Sequence, residues 1–155
     1  SYEVKLEHGA VIRKVNIDYS PTQTLDIYLL EGDGPFPVVV VIHGGAFAFG
    51  DSRGPDCVSA LHALERDYAV VSVNYRLSGE ATFPADVEDV KAAIRFIRAN
   101  ASEYSLNPEK MATWGGSAGG ALSAICATSG DVAAFKNTLL GNVEVSDKVQ
   151  AAVDW

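Results

Sequence analysis

Cysteine, basic residues and long apolar runs are all scarce in this sequence. Only two cysteines, Cys57 and Cys126, occur in 155 residues, and their apolar, helix-like neighbours favour two buried free thiols over a disulfide. Twelve Lys and Arg against twenty Asp and Glu give a formal charge of -8, which argues against nucleic acid or an anionic membrane as a partner. The longest apolar run, residues 38–42, is too short to span a bilayer.

What is present is typical of one globular domain, with 48% hydrophobic and 21% charged residues. Strand and helix patterns alternate along most of the chain, which predicts a mostly parallel sheet with helices on both faces. Strands are predicted at 11–18, 24–30, 37–42, 69–75, 111–114 and 149–155, and helices at 56–66, 84–100 and 121–128.

Residues 113–120 (TWGGSAGG) place one serine among residues with almost no side chain. Gly115 and Gly119 flank Ser117 at the predicted junction of strand and helix, where small residues let the two elements pass closely. Such a turn strains the serine backbone and exposes its oxygen, and the helix start favours negative charge beside it. A structural Gly/Ser turn without chemistry is the alternative, but the flanking elements favour a nucleophile.

A second small-residue stretch, His43-Gly44-Gly45-Ala46, directly follows the buried strand at 37–42. Acyl transfer needs backbone N–H donors aimed at the developing oxyanion, and small residues let that backbone approach the substrate. Because both stretches follow parallel strands, we expect them at the same edge of the sheet.

In order, HGGAFAFGD, VVSVNYRLS, FPADVEDVKAAIRFIRANA, LNPEK and WGGSAGG resemble the α/β-hydrolase serine esterases with an HGG oxyanion motif. These are carboxylesterase and acetylxylan- or feruloyl-esterase-like members, related to hormone-sensitive lipase. The resemblance implies an α/β-hydrolase fold and hydrolysis of carboxylic esters, short acyl or plant-cell-wall-type, with neither metal nor cofactor. It assigns the nucleophile to Ser117, the oxyanion hole to Gly44, Gly45, Ala46 and Ala118, and supporting roles to His43, Gly115 and Gly119.

Two residues depart from that pattern. Ala46 stands where the motif usually has a third glycine, and Gly116 stands before the serine where Glu or Asp is common. Neither change removes the implied chemistry.

The base and the acid of a Ser-His-acid triad are missing from this sequence. In this fold they follow the serine along the chain, yet no histidine follows Ser117. His8 and His62 are predicted to be surface or packing residues. We expect none of the later acids to complete the triad: Asp131, Glu144 and Asp147 are predicted as loop or surface charges, and Asp154 ends the last strand, before the position that the resemblance implies.

Residues 1–155 are therefore predicted to be the N-terminal part of a single α/β-hydrolase domain, ending after about the sixth strand. The expected partners are a small-molecule ester and a C-terminal remainder of the same enzyme, in the same or a separate chain, that carries the triad acid and histidine. Two alternatives stay open: a non-catalytic interaction module of this fold, and a serine peptidase of this fold. The cellular compartment and the ester specificity stay open as well.

Overall fold

The computed structural model describes residues 2–5, 11–21, 23–45, 60–77 and 82–154, with backbone alone for 2–5, 11–16 and 154. Its strands are β1 (Tyr2–Lys5), β2 (Val11–Asp18), β3 (Thr24–Leu30), β4 (Phe36–Ile42), β5 (Ala69–Val73), β6 (Leu106–Gly115) and β7 (Ala151–Asp154). Its α-helices are α1 (Ala85–Ala99) and α2 (Ala118–Thr128), and three short 3-10 helices are η1 (Leu61–Arg66), η2 (Ala133–Phe135) and η3 (Thr138–Leu140).

All seven described strands join one sheet in the order β1-β2-β3-β5-β4-β6-β7. The pairs β1–β2, β2–β3 and β3–β5 are antiparallel, whereas β5–β4, β4–β6 and β6–β7 are parallel. The parallel part therefore runs from β5 to the edge strand β7, with β4 between β5 and β6. The α/β prediction is confirmed, and β1 is one strand more than the pattern predicted.

Side chains along β4 point alternately to the two faces of the sheet. Val38, Val40 and Ile42 point to one face, where they pack in the larger of two apolar clusters, with apolar residues of α1 and α2. Val39 and Val41 pack in the opposite cluster, against η1. Successive strand side chains point to opposite faces, so a run of five buried residues needs cover on both. Helices on both faces are confirmed.

Helix α1 presents an apolar stripe with helical spacing to the larger cluster. Val87, Val90, Ile94 and Ile97 are all fully buried. Burying one such side chain stabilises the fold by about 1.5–3 kcal/mol relative to leaving it exposed. No helix among the described ranges is long and apolar enough to cross a membrane.

Strand β6 begins earlier than predicted, and β7 is shorter. Leu106 pairs with Phe36 before an irregularity in the β4–β6 register, and it is buried. Residues 106–110, which precede the predicted strand at 111–114, therefore belong to β6. Strand β7 forms an edge of the described sheet, and Val153 on it is 43% exposed.

The prediction that Asp147 is a loop or surface charge is wrong. Its side chain is fully buried, where it accepts hydrogen bonds from Lys91 Nζ at 3.0 Å and from the Asp131 N–H at 2.7 Å. Lys91 and Arg95 are buried beside it, so the carboxylate has cations to neutralise.

Other surface predictions are confirmed. Asp131, Glu144 and His62 keep part or most of their surface accessible to solvent. Cys126 is a buried free thiol, as predicted. His8 and Cys57 lie outside the described residues, so nothing tests the predictions made for them.

Candidate active site

Ser117 lies at the sharp corner between β6 and α2. Its backbone has φ 54° and ψ −122°, a conformation that costs a non-glycine residue of the order of 1–3 kcal/mol. The residue is exposed, and its hydroxyl caps no backbone N–H of α2 among the described contacts. The Ser117 carbonyl accepts the first helical hydrogen bond, from the Ala121 N–H at 3.1 Å. The predicted strained turn is confirmed, and the serine is presented to solvent.

The two glycines around the serine are required by close backbone contact. A Cβ on Gly115 would overlap the carbonyl group of Gly119. A Cβ on Gly119 would overlap the carbonyl oxygen of Ile42, at the end of β4, and approach the His43 carbonyl oxygen to 2.8 Å. The start of α2 is thus pressed against the point where β4 ends.

That contact brings the two predicted small-residue stretches together. Ile42, the last residue of β4, pairs with Gly115, the last residue of β6. His43, Gly44 and Gly45 therefore leave the sheet beside the serine turn, and Gly45 has φ 123°, a value that favours glycine. Ala46 lies outside the described residues, whereas Ala118 is buried in the first turn of α2.

His43 is a buried histidine that contacts its own loop. Its Nδ1 lies 2.8 Å from the carbonyl oxygen of Gly44, and because that oxygen can only accept, Nδ1 is the donor. The ring stacks on Tyr75 with centroids 4.4 Å apart and planes 15° apart. The Tyr75 hydroxyl also donates to the His43 carbonyl oxygen at 2.7 Å.

The sequence patterns assigned no role to Tyr75, although one signal could have found it. Tyr75 is the second residue after β5, and the register pairs Ile42 of β4 with Val73 of β5. Residues just beyond the ends of neighbouring parallel strands meet at one edge. A tyrosine two positions past β5 is therefore expected beside the stretch that follows β4.

The residues on either side of Tyr75 are hydrogen-bonded to neighbouring elements of the fold. Asn74 donates through its backbone N–H to the Thr24 carbonyl at 3.0 Å and through Nδ2 to Thr24 Oγ1 at 2.9 Å. Arg76 donates three hydrogen bonds of 2.8–2.9 Å to the Asp89 carboxylate, from its backbone N–H, Nε and Nη2. Burial raises the pKa of Asp89 against the lowering effect of these bonds, while the hydrogen bond to Asp89 raises the pKa of Arg76.

The described residues bring no base to the serine. The three histidines of the chain all precede Ser117, and His43 is engaged by its loop. Asp147 is bound by Lys91 in the segment between α2 and β7. Asp154 pairs with Gly115 at the same sheet edge as the serine turn, and its side chain is not among those described.

One cavity lies away from the serine turn. It has a volume of about 330 Å³ and is lined by residues at the amino ends of the parallel strands, including Val38, Met111 and Ala151, with Tyr68 at one side. Ser117 follows the carboxyl end of β6, so the cavity and the serine lie at opposite ends of the parallel strands.

The comparisons with known proteins bear on the chain as a whole. A family model described as BD-FAE matches residues 25–155. The chain belongs to the BD-FAE family. The resemblance to α/β-hydrolase esterases and the predicted fold class are thereby confirmed.

Two relatives of this BD-FAE chain come from Mycobacterium tuberculosis. The probable carboxylic ester hydrolase LipM is 37% identical over 141 residues, which are 89% of this chain and 32% of LipM. The carboxylesterase NlhH is 43% identical over 91 residues, or 59% of this chain and 28% of NlhH. The chain thus spans about a third of the length of these relatives.

A solved structure described as a truncated form of a carbohydrate esterase from gut microbiota is similar in fold. It superposes with a TM-score of 0.85 at 28% identity, covering 97% of this chain and 58% of that one. A bacterial heroin esterase is 39% identical with a TM-score of 0.62, covering 73% of this chain and 37% of that one.

Proposed function

We propose that this chain carries the nucleophile and the oxyanion-binding part of a carboxylic ester hydrolase. The observation that carries the proposal is Ser117, exposed at a strand–helix corner with φ 54°. The names of LipM, NlhH and the carbohydrate esterase support hydrolysis of carboxylic esters. The proposed substrates are short acyl or plant-cell-wall-type esters.

In the proposed reaction Ser117 Oγ attacks the ester carbonyl carbon and forms a tetrahedral intermediate. A base takes the hydroxyl proton and later gives it to the leaving alcohol, which departs as the acyl-enzyme forms. The same base then takes a proton from a water molecule that attacks the acyl-enzyme, and returns it to Ser117 Oγ as the carboxylic acid leaves.

The negative oxygen of each intermediate would lie among backbone N–H groups of Gly44, Gly45, Ala46 and Ala118. Supporting this, Gly44 and Gly45 follow β4 beside the turn, and Ala118 begins α2, where the helix dipole favours negative charge. His43 would brace the loop through Gly44, and Gly115 and Gly119 would allow the close approach of strand and helix.

The triad acid and the histidine would come from a C-terminal remainder of the same enzyme. Two facts support this: the chain spans about a third of LipM's length, and β7 is an edge strand whose Val153 is 43% exposed. Further polypeptide that packed beside β7 would cover this exposed edge strand, which is favourable. This chain joined to that remainder is called the complete polypeptide.

The test is hydrolysis of p-nitrophenyl acetate and p-nitrophenyl butyrate by the complete polypeptide and by residues 1–155 alone. We expect turnover by the complete polypeptide and none above background by the fragment. Ser117→Ala should lower kcat by roughly 10⁴-fold or more, because the residual rate then comes only from binding and the oxyanion hole. Methyl ferulate and acetylated xylan would distinguish the two substrate classes.

Ser102→Ala is the matched control, since Ser102 is an exposed serine on another segment. Its kcat should equal that of the unmodified protein. An inactive complete polypeptide would favour the non-catalytic module instead. Full turnover by residues 1–155, abolished by Ser117→Ala, would mean that the base lies within this chain.

A further inference from the structure

Tyr75 and His43 form a pair that fixes the backbone beside the serine turn. Tyr75 is 2% exposed, and it contacts His43 in two ways, by ring stacking at 4.4 Å and by the 2.7 Å hydrogen bond from its hydroxyl to the His43 carbonyl oxygen. His43 itself is 3% exposed. Both rings are therefore enclosed, and each restricts the other.

The hydroxyl of Tyr75 determines where one backbone N–H points. The His43 carbonyl and the Gly44 N–H belong to the same planar trans peptide, so they point in opposite directions. Holding the carbonyl oxygen at 2.7 Å from the Tyr75 hydroxyl therefore sets the direction of the Gly44 N–H.

The next peptide is set through the His43 ring. Its Nδ1 donates to the Gly44 carbonyl oxygen at 2.8 Å, which sets the plane that also contains the Gly45 N–H. The Tyr75 ring, stacked on the imidazole, holds that donor in place. Two consecutive peptides thus depend on one tyrosine.

The backbone after His43 needs restraint from neighbouring residues because the next two residues are glycines. Gly44 and Gly45 have no side chains to limit their backbone, and Gly45 already has φ 123°. Tyr75, by contrast, stands between Asn74, bound to Thr24 of β3, and Arg76, bound to Asp89 of α1. Strand β3 and helix α1 therefore fix the position of Tyr75, and Tyr75 in turn restricts the backbone of Gly44 and Gly45 through His43.

We propose that Tyr75 is a positioning residue of the oxyanion hole, which orients the Gly44 and Gly45 N–H groups through the carbonyl and the ring of His43. The proposal rests on the proposed function. It assigns Tyr75 no contact with the ester, since the residue acts only through His43.

The experiment compares Tyr75→Phe with the unmodified complete polypeptide. The change keeps the stacked ring and removes the hydroxyl. Losing a whole oxyanion donor costs about 10²–10³-fold in kcat, so loosening one donor, the Gly44 N–H, should lower kcat about 10-fold, with KM within about threefold. Affinity for a trifluoromethyl ketone, whose hemiketal oxyanion occupies the hole, should fall by the same factor.

Rates are expressed per active serine, titrated with diethyl p-nitrophenyl phosphate, so that partial unfolding of the variant does not enter kcat. Tyr68→Phe is the matched control, because Tyr68 is a partly exposed tyrosine at the opposite edge of the sheet. Its kcat and ketone affinity should be unchanged.

A Tyr75→Phe variant with kcat within twofold of the unmodified protein, or with only KM raised, would overturn the proposal. That result, combined with loss of turnover in Ser117→Ala, would leave the proposed function standing. An unmodified complete polypeptide that hydrolyses no ester would instead overturn the proposed function, and the positioning role with it.

Discussion

Helix α1 carries two ion-pair sites that differ in how well their charges are matched. At the first, the Asp89 site, one carboxylate accepts three hydrogen bonds of 2.8–2.9 Å from one arginine, Arg76. At the second, the Asp147 site, one carboxylate faces two cations: Lys91 Nζ lies 3.0 Å from Oδ1 and Arg95 Nη1 lies 3.9 Å from Oδ2.

The two sites also differ in exposure and in unpaired atoms. Arg76 keeps 23% of its side chain exposed, whereas Lys91, Arg95 and Asp147 are each at 0%. Arg95 Nη1, Arg95 Nη2 and Asp147 Oδ2 are buried without a hydrogen-bond partner among the described residues. Burial lowers the pKa of Arg95, with Asp147 opposing that effect. At the Asp89 site one buried carboxylate meets one cation, since Glu88, whose Oε2 lies 3.7 Å from Arg76 Nη2, keeps 19% of its side chain exposed. The Asp147 site holds one buried cation too many.

The two sites also connect α1 to different parts of the fold. The Asp89 site anchors the segment that carries Tyr75, the residue proposed to position the oxyanion hole. The Asp147 site joins α1 to the segment between α2 and β7, away from the serine turn. Buried ion pairs are a poor source of net stability, since desolvation offsets their attraction, but removing one partner alone is costly.

The largest effect is expected from Asp147→Ala. Two buried cations would lose their carboxylate, and the free energy of unfolding should fall by ~3–5 kcal/mol. The measurement is urea denaturation of the complete polypeptide. Glu144→Ala removes the same charge from a more accessible position of the same segment, and it should change stability by less than about 0.5 kcal/mol. Equal effects of the two variants would contradict the burial of Asp147.

The next largest effect on stability is expected from Arg76→Met, and the same substitution at Arg95 is its comparison. Arg76→Met leaves the fully buried Asp89 carboxylate without its cation, and the loss should be about 2 kcal/mol, reduced from the fully buried case because Arg76 is partly exposed. Arg95→Met removes the excess cation and fills its volume with apolar atoms, so stability should be unchanged or should rise by about 1 kcal/mol. If both variants lose stability equally, the two sites are not different in charge balance.

Much of the fold could be predicted because local pattern carries it. Strands β2 and β3 match the predicted ranges 11–18 and 24–30, and the stripe Val87, Val90, Ile94 and Ile97 gives the buried face of α1. The strained turn at Ser117 could also be predicted, since only glycines at 115 and 119 avoid the backbone overlaps.

What could not be predicted depends on contacts between distant residues. Lys91 and Asp147 are 56 residues apart, and nothing local distinguishes them from ordinary surface charges. Tyr75 and His43 are 32 residues apart, and their contact depends on the pairing of β4 with β5. Such partners become visible only when the register of the sheet is known.

The smallest change concerns the reactivity of Cys126, which has Lys91 and Asp147 among its electrostatic neighbours. Burial raises the pKa of this thiol to about 12, with Lys91 lowering it and Asp147 raising it by smaller amounts. The thiolate is the reactive form, so Cys126 should not react with DTNB at about pH 8 in the folded protein. The measurement is made on the Cys57→Ser variant of the complete polypeptide, with any cysteine of the remainder also replaced by serine.

We expect no chromophore release from that variant until urea is added, and then one equivalent. Adding Asp147→Ala should give slow release without urea, because a weakened Asp147 site opens more often and exposes the thiol. Adding Glu144→Ala should not, since Glu144 is exposed and forms no ion pair with the residues that the structure describes. Rapid release from the folded Cys57→Ser variant would show that Cys126 is accessible, and would remove the basis for interpreting the Asp147 site as a closed interior.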